Sequence, residues 1–267
     1  MKHIQLEIIA NEYQQEELIA LLDDYHPSGF EQTEETVKAY FAENDFQQEG
    51  IQKVLEGFDY KLTEIEEQNW NALWEKNFHP VIVEDFCGVR AHFHEPVQKV
   101  EHEIIITPKM SFGTGHHATT YMMIQQMKHL DFNGKKVFDF GTGTGILAIL
   151  AEKLGAASVT AIDVDDWSIE NAKENFERNG CHKIDVSLAS ILPAVSFDVV
   201  LANINRNVIL NYIGQLPQLV QQGGLLLVSG LLVADEQTIT MAAEENGFRF
   251  QKRLERAGWI SLLFVRN

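Results

Sequence analysis

The sequence predicts an α/β chain: a doubly wound seven-stranded sheet with a reversed last strand, preceded by a small α+β domain of ferredoxin-like order. Three observations predict it. Residues 136–265 alternate short apolar strand runs with helical patterns. Within them, Val137 to Phe140 runs into Gly141, Gly143 and Gly145 and then directly into an apolar helix, the strand–turn–helix unit of nucleotide-type sites. Residues 1–66 read β-α-β-β-α-β. A chain of 267 residues with 45% hydrophobic content carries enough apolar surface for one large domain and one small one.

Taken in order, residues 2–9 alternate apolar and polar as a strand, Glu12 to Asp24 has helical spacing, and Pro27-Ser28-Gly29 breaks it. Strand patterns follow at Phe30 to Thr33 and Thr36 to Phe41. Phe46 to Glu56 is helical in period, Gly57 ends it, and Phe58 to Ile65 alternates as a last strand. Next, residues 67–79 form a linker helix in which Trp70, Trp74 and Phe78 share one side and His79-Pro80 stops the run. The larger part, 80–267, opens with strand patterns at Val81 to Glu84, Val89 to His94 and Glu103 to Thr107. A polar loop then reaches a helix running to Leu130, which Thr119 and Thr120 are placed to cap.

The sheet strands are expected at Lys136 to Asp139, Ser158 to Ile162, Lys183 to Leu188, Phe197 to Ala202, Gly224 to Ser229, Phe248 to Leu254 and Trp259 to Val265. Only Glu255 to Gly258 separates the last two, too few residues for a parallel crossover, so they form an antiparallel hairpin. A parallel sheet closed by such a reversed strand has the pattern of the methyltransferase fold.

The glycines narrow the ligand. A dinucleotide fingerprint needs its third glycine at position 146, where the chain has Ile146. The third glycine comes one residue early, and a carboxylate, Asp139, stands two residues ahead of the loop. Such a loop suits a ligand with an ammonium group better than a pyrophosphate, and S-adenosylmethionine is the common cofactor of that description. Asp163, ending the next strand about 20 residues on, is placed to accept hydrogen bonds from ribose hydroxyls; Asp165 and Asp166 are better placed to cap the following helix. Ligands in open α/β sheets bind beyond the carboxyl ends of the strands, which singles out Asn203 after the fourth strand. Its side chain offers an acceptor and a donor pair beside the cofactor. The adjacent His116 and His117 lack a third ligand at matching spacing, so a role in lining the site is expected and no metal.

Composition bounds the partners. The formal net charge of −18 argues against a nucleic-acid backbone as the main ligand, and residues 1–66 hold sixteen acidic residues against four lysines and no arginine. That acidic quarter is either a solvated surface or a docking module for a basic partner. Two cysteines, Cys87 and Cys181, without metal-ligand spacing, suggest ordinary reduced thiols. No run of apolar residues is long enough for a membrane span and no signal-peptide pattern opens the chain, so a cytoplasmic protein is expected.

Several of these residues together resemble a known family. Phe112-Gly113-Thr114-Gly115, His117, the Thr119-Thr120 pair, Asp139-Phe140-Gly141 with its glycines, Gly145-Ile146-Leu147-Ala148, Asp163 and Asn203-Ile204 look like the bacterial methyltransferases of large-subunit ribosomal protein eleven. Trp70, Trp74 and Phe78 look like that family's linker. The resemblance implies methylation of lysine side-chain amines, with the N-terminal amine as a further acceptor, of that ribosomal protein. It implies that residues 1–66 recognise the substrate and that Thr120, Gly141, Asp163 and Asn203 contact the cofactor. Gly143, Gly145 and Asp139 complete the expected cofactor set, Asn203 is the expected catalytic residue, and Phe112, Thr114 and His117 are candidates for the amine pocket. The chain departs from the family at His116, Ala118 and Asn205-Arg206, all around that pocket. Competing readings are a methyltransferase for another protein or a small amine, an NAD-dependent oxidoreductase, which Ile146 disfavours, and a non-catalytic binding protein, which has little use for Asn203.

Overall fold

A computed structural model describes residues 3–33, 35–65, 79–108 and 115–267, and the chain divides into two compact units, 1–77 and 78–267. The expected linker helix with Trp70, Trp74 and Phe78 lies outside the described residues.

The first unit contains β1 (His3–Ile9), α1 (Glu12–Asp23), β2 (Gly29–Gln32), β3 (Thr36–Ala42), α2 (Gln48–Val54) and β4 (Tyr60–Ile65). They form one antiparallel sheet in the order β2-β3-β1-β4, the ferredoxin-like arrangement expected. Alternation drives it: Leu6 and Ile8 of β1 and Val37, Ala39 and Phe41 of β3 are fully buried, and Leu18 and Leu22 of α1 join them. A capping box starts α1: Gln14 N–H donates to Asn11 Oδ1 at 3.0 Å and Asn11 N–H to Gln14 Oε1 at 3.1 Å. The second helix is shorter than its period suggested. Phe46 stands in extended backbone before it, with its ring edge-on to Phe41 at 5.4 Å, so an apolar residue in helical register serves the core from a loop.

The second unit opens with a three-stranded sheet, β5 (Val81–Val83), β6 (Cys87–Ala91) and β7 (His102–Ile106), in that order, with β5–β6 antiparallel and β6–β7 parallel. The expected strand at 89–94 is displaced toward its N-terminus. Every residue of β6 is buried, including Arg90, whose Nε and Nη2 donate to the Glu103 carboxylate at 2.9 and 3.2 Å.

Then come α3 (Ala118–Met127), β8 (Lys136–Phe140), α4 (Ile146–Lys153), β9 (Ser158–Asp163), α5 (Asp166–Arg178), β10 (Ile184–Leu188), β11 (Phe197–Asn203), α6 (Arg206–Tyr212), α7 (Leu216–Leu219), β12 (Val220–Leu232), α8 (Glu236–Glu245), β13 (Phe248–Arg256) and β14 (Trp259–Arg266). The sheet order is β10-β9-β8-β11-β12-β14-β13, parallel except for β14, which runs antiparallel to both neighbours. The reversed strand is therefore inserted between β12 and β13. The two residues of its tight turn, Ala257 (φ 51°) and Gly258 (φ 80°), both take the left-handed conformation that such hairpins need. Residues alternate between two cores: Val137 and Val199 pack with α3, α4 and α5, and Phe138, Phe140 and Val200 with α6, α7 and α8. Strand order reverses between β8 and β11, which opens a crevice at their carboxyl ends.

Candidate functional site

That crevice is a cavity of about 670 Å³, within the range for a small-molecule or cofactor site. Its floor is the glycine loop. Gly141, Gly143 and Gly145 all have positive φ, of 73°, 55° and 81°. A Cβ at Gly141 would stand 2.3 Å from Ile204 Cγ2, and one at Gly145 would stand 2.4 Å from Phe176 Cε1. Gly145 thus lets α4 start against α5, and Gly141 lets the loop pass under the segment after β11.

Asp163, at the end of β9, locks the loop from the side. Its Oδ2 accepts the Gly143 N–H at 2.8 Å, while Oδ1 accepts the N–H groups of Val164 at 2.8 Å and Asp165 at 3.2 Å. An ionised carboxylate has about four acceptor positions, so these amides leave one of them for a ligand hydroxyl. Asp165 caps α5 by accepting the Trp167 N–H, as its position suggested.

Asn203 ends β11 at the switch point. Its Nδ2 donates to Thr120 Oγ1 at 3.2 Å, and its Oδ1 is buried without a hydrogen-bond partner among the described residues. A buried, unsatisfied carbonyl costs about 1–3 kcal/mol, so its persistence at a cavity wall points to a donor supplied from outside. Thr120 is held on α3, which is fastened beneath the site: Gln126 Nε2 donates to Ser261 Oγ at 3.1 Å, and Ser261 Oγ donates to Val228 O at 3.2 Å.

The start of α3 differs from the expectation. His117, not a threonine, is the cap, with Nδ1 accepting the Thr119 N–H at 3.3 Å. Thr119 and Thr120 lie inside the first turn and are fully buried; the Thr119 hydroxyl braces the His117 ring at 2.8 Å. The ring stands edge-on to Trp259 at 4.6 Å, and the two close one side of the cavity. His116 points elsewhere, its Nε2 2.8 Å from His79 O.

Of the expected residues, Gly141, Gly143, Asp163, Asn203 and His117 line the cavity. Thr120, Asp139 and Gly145 stand behind the lining, and Phe112 and Thr114 lie outside the described residues. Asp139 is 1% exposed, and Thr142 Oγ1 donates to its Oδ2 at 2.6 Å. Burial pushes its carboxyl from 3.8 up to about 7, against the Thr142 hydrogen bond. A carboxyl raised by folding stabilises the fold below its unfolded value and loses that contribution as pH rises through its folded value. Wild type should therefore lose stability relative to Asp139→Asn as pH climbs from about 4 to about 8, read as melting temperatures; parallel curves would remove this assignment. Burial raises Cys87 to about 12 and Cys181 to about 11, so neither is a thiolate nucleophile at neutral pH.

Sequence reasoning missed Val164, Ala189, Ser190, Gly230 and Trp259, which also line the cavity. Val164, Ala189 and Ser190 follow β9 and β10 directly, so the rule that ligands sit beyond strand carboxyl ends could have found them. Trp259 reaches the site only because β14 is inserted beside β12, which no local pattern reveals. Tyr212 OH donates to Ser190 O at 2.6 Å, and its ring stands edge-on to Phe140, which joins two further parts of the wall.

A family model described as ribosomal protein L11 methyltransferase matches residues 3–267. A curated ribosomal protein L11 methyltransferase of Phocaeicola vulgatus is 37% identical over 266 residues, 96% of this chain and 95% of that one. One of Porphyromonas gingivalis is 42% identical over 247 residues, 88% of this chain and 85% of that one. A crystal structure of ribosomal protein L11 methylase from Lactobacillus delbrueckii subsp. bulgaricus shares 32% identity at a TM-score of 0.66, covering 71% of this chain and all of that one.

Proposed function

This chain belongs to the ribosomal protein L11 methyltransferase family, and on that premise we propose that it transfers methyl groups from S-adenosylmethionine to lysine side-chain amines of ribosomal protein L11, with the N-terminal amine as a further acceptor. The observation that carries the reading is the unpartnered Oδ1 of Asn203, held by Thr120 at the wall of the switch-point cavity.

S-adenosylmethionine, when bound, supplies a methyl group already activated by its sulfonium. The chain's residues therefore need to align a neutral amine and exclude water. The glycine loop admits the ligand's backbone-close approach, and the remaining acceptor position of Asp163 takes a ribose hydroxyl. Asn203 Oδ1 accepts an N–H of the incoming amine and directs its lone pair to the methyl group. A carbonyl oxygen is too weak a base to take the proton, and His117 Nδ1 is occupied by its cap hydrogen bond. Lysine, ordinarily near pKa 10.4, loses its proton to solvent on entering a desolvated, cationic site, where both effects lower that value. His117 and Trp259 shield this side of the cavity.

Residues 1–66, with sixteen acidic residues against four lysines, supply the recognition domain, whose charge draws a basic ribosomal protein to the site over about a Debye length. A ribosomal protein as substrate puts the reaction in the cytoplasm. Among the described residues no helix is long and apolar enough to cross a membrane. The donor half of the proposal is tested by calorimetric titration of the full chain. S-adenosylmethionine should bind and NAD should not, because α4 starts at Ile146 with no glycine there to admit a pyrophosphate. Binding of NAD in preference would restore the oxidoreductase reading.

A further inference from the structure

On α5, Asn171 and Asn175 stand one turn apart on the same face, and Asn179 caps the helix one turn further on. Asn171 and Asn175 are fully buried. Asn179 completes the free edge of β7 as a partner strand would: its Oδ1 accepts the Ile105 N–H at 3.0 Å and its Nδ2 donates to Ile105 O at 2.6 Å. Asn175 does more. Its Oδ1 accepts the Thr107 N–H at 2.7 Å, just past β7, while its Nδ2 donates to Thr144 O at 2.8 Å and Asn171 Oδ1 at 3.1 Å.

Thr144 sits between Gly143 and Gly145, two residues in left-handed backbone that by themselves leave the peptide planes free to turn. Asp163 fixes this loop on one side through the Gly143 N–H; Asn175 fixes the other through the Thr144 carbonyl. An apolar side chain would pack this helix face as well, as Phe176 does beside it. The ladder instead buries amides and leaves Asn171 Nδ2 without a partner among the described residues, a cost that packing alone does not explain.

We infer that Asn175 is a positioning residue for the cofactor: it sets the Thr144 carbonyl, and with it the glycine loop, and ties that loop to the end of β7. The inference rests on the reading that the cavity takes S-adenosylmethionine. Asn179 is its internal control, because it belongs to the same ladder and touches β7 but not the loop.

The test titrates the full-length chain with S-adenosylhomocysteine by calorimetry, well below the melting temperature of each variant. In Asn175→Asp the carboxylate keeps the acceptor for Thr107 N–H but turns an oxygen toward Thr144 O and Asn171 Oδ1. Affinity should fall about tenfold or more, and KM for S-adenosylmethionine should rise in step, with kcat at saturation changed less than about twofold. Asn179→Ala should lower the melting temperature and leave affinity unchanged. Undiminished affinity in Asn175→Asp, or equal weakening in both variants, overturns the inference; a wild-type chain that fails to bind S-adenosylhomocysteine overturns the cavity reading instead. Should Asn175→Asp not fold, hydrogen exchange on wild type decides: bound S-adenosylhomocysteine should slow the Thr107 amide much more than the Ile105 amide, and equal effects on the two refute the coupling.

Discussion

Replacing Asn203 with alanine should lower kcat for methyl transfer about 100- to 1,000-fold while changing affinity for S-adenosylmethionine less than tenfold. That range corresponds to roughly 2.7–4 kcal/mol of transition-state stabilisation, the usual size for loss of one well-placed hydrogen-bonding group in a dry site. The reason lies in the division of labour on this side chain. Nδ2 is spent on Thr120, which fixes the amide plane, and Oδ1 is the atom left to orient the amine. Truncation removes both, so the nitrogen lone pair is no longer held in line with the methyl group. Asn203→Asp should be no remedy, because a carboxylate there would hold the incoming lysine as an ammonium, which has no lone pair to give. Steady-state kinetics with the protein substrate checks this, and kcat within threefold of wild type in Asn203→Ala would remove the residue from the chemistry.

Asp163→Ala should raise the dissociation constant for S-adenosylmethionine about 100-fold or more. Two losses combine. The ligand loses an ionised acceptor, worth about 1.5–3 kcal/mol for a charge-assisted hydrogen bond. The amides of Gly143, Val164 and Asp165 lose the oxygens that hold the loop in its binding shape. Asp163→Asn keeps one oxygen but turns an N–H₂ toward amide donors, so its defect should fall between wild type and alanine. Calorimetry on the folded variants separates the three cases. Affinity within threefold of wild type in Asp163→Ala would mean that Asp163 only caps the turn after β9.

Much of this was legible because backbone constraints leave marks in sequence. Three left-handed positions at alternate residues demand glycine, and the chain has glycine at all three. Fully buried parallel strands read as apolar runs, and the strand-end rule brought Asp163 and Asn203 to one cavity from sequence positions 40 apart. What escaped was tertiary. A hairpin between the last two strands follows from a short connection, but its insertion beside β12, and therefore Trp259 in the cavity wall, depends on pairing energies that no local pattern records. The cap of α3 escaped because histidine ranks below threonine at such positions, and here the ring is fixed by Thr119 and Trp259 together. Asp139 was expected near the ligand; burial instead places it behind the loop as the support of Thr142.

Incubating the full chain with methyl-labelled S-adenosylmethionine and purified ribosomal proteins, then locating the label by mass spectrometry, tests the central claim most directly. The account predicts label on lysine side-chain amines, or on the N-terminal amine, of ribosomal protein L11, and its near-complete loss in Asn203→Ala. Unlabelled L11 in the presence of a folded enzyme that binds S-adenosylmethionine would contradict it.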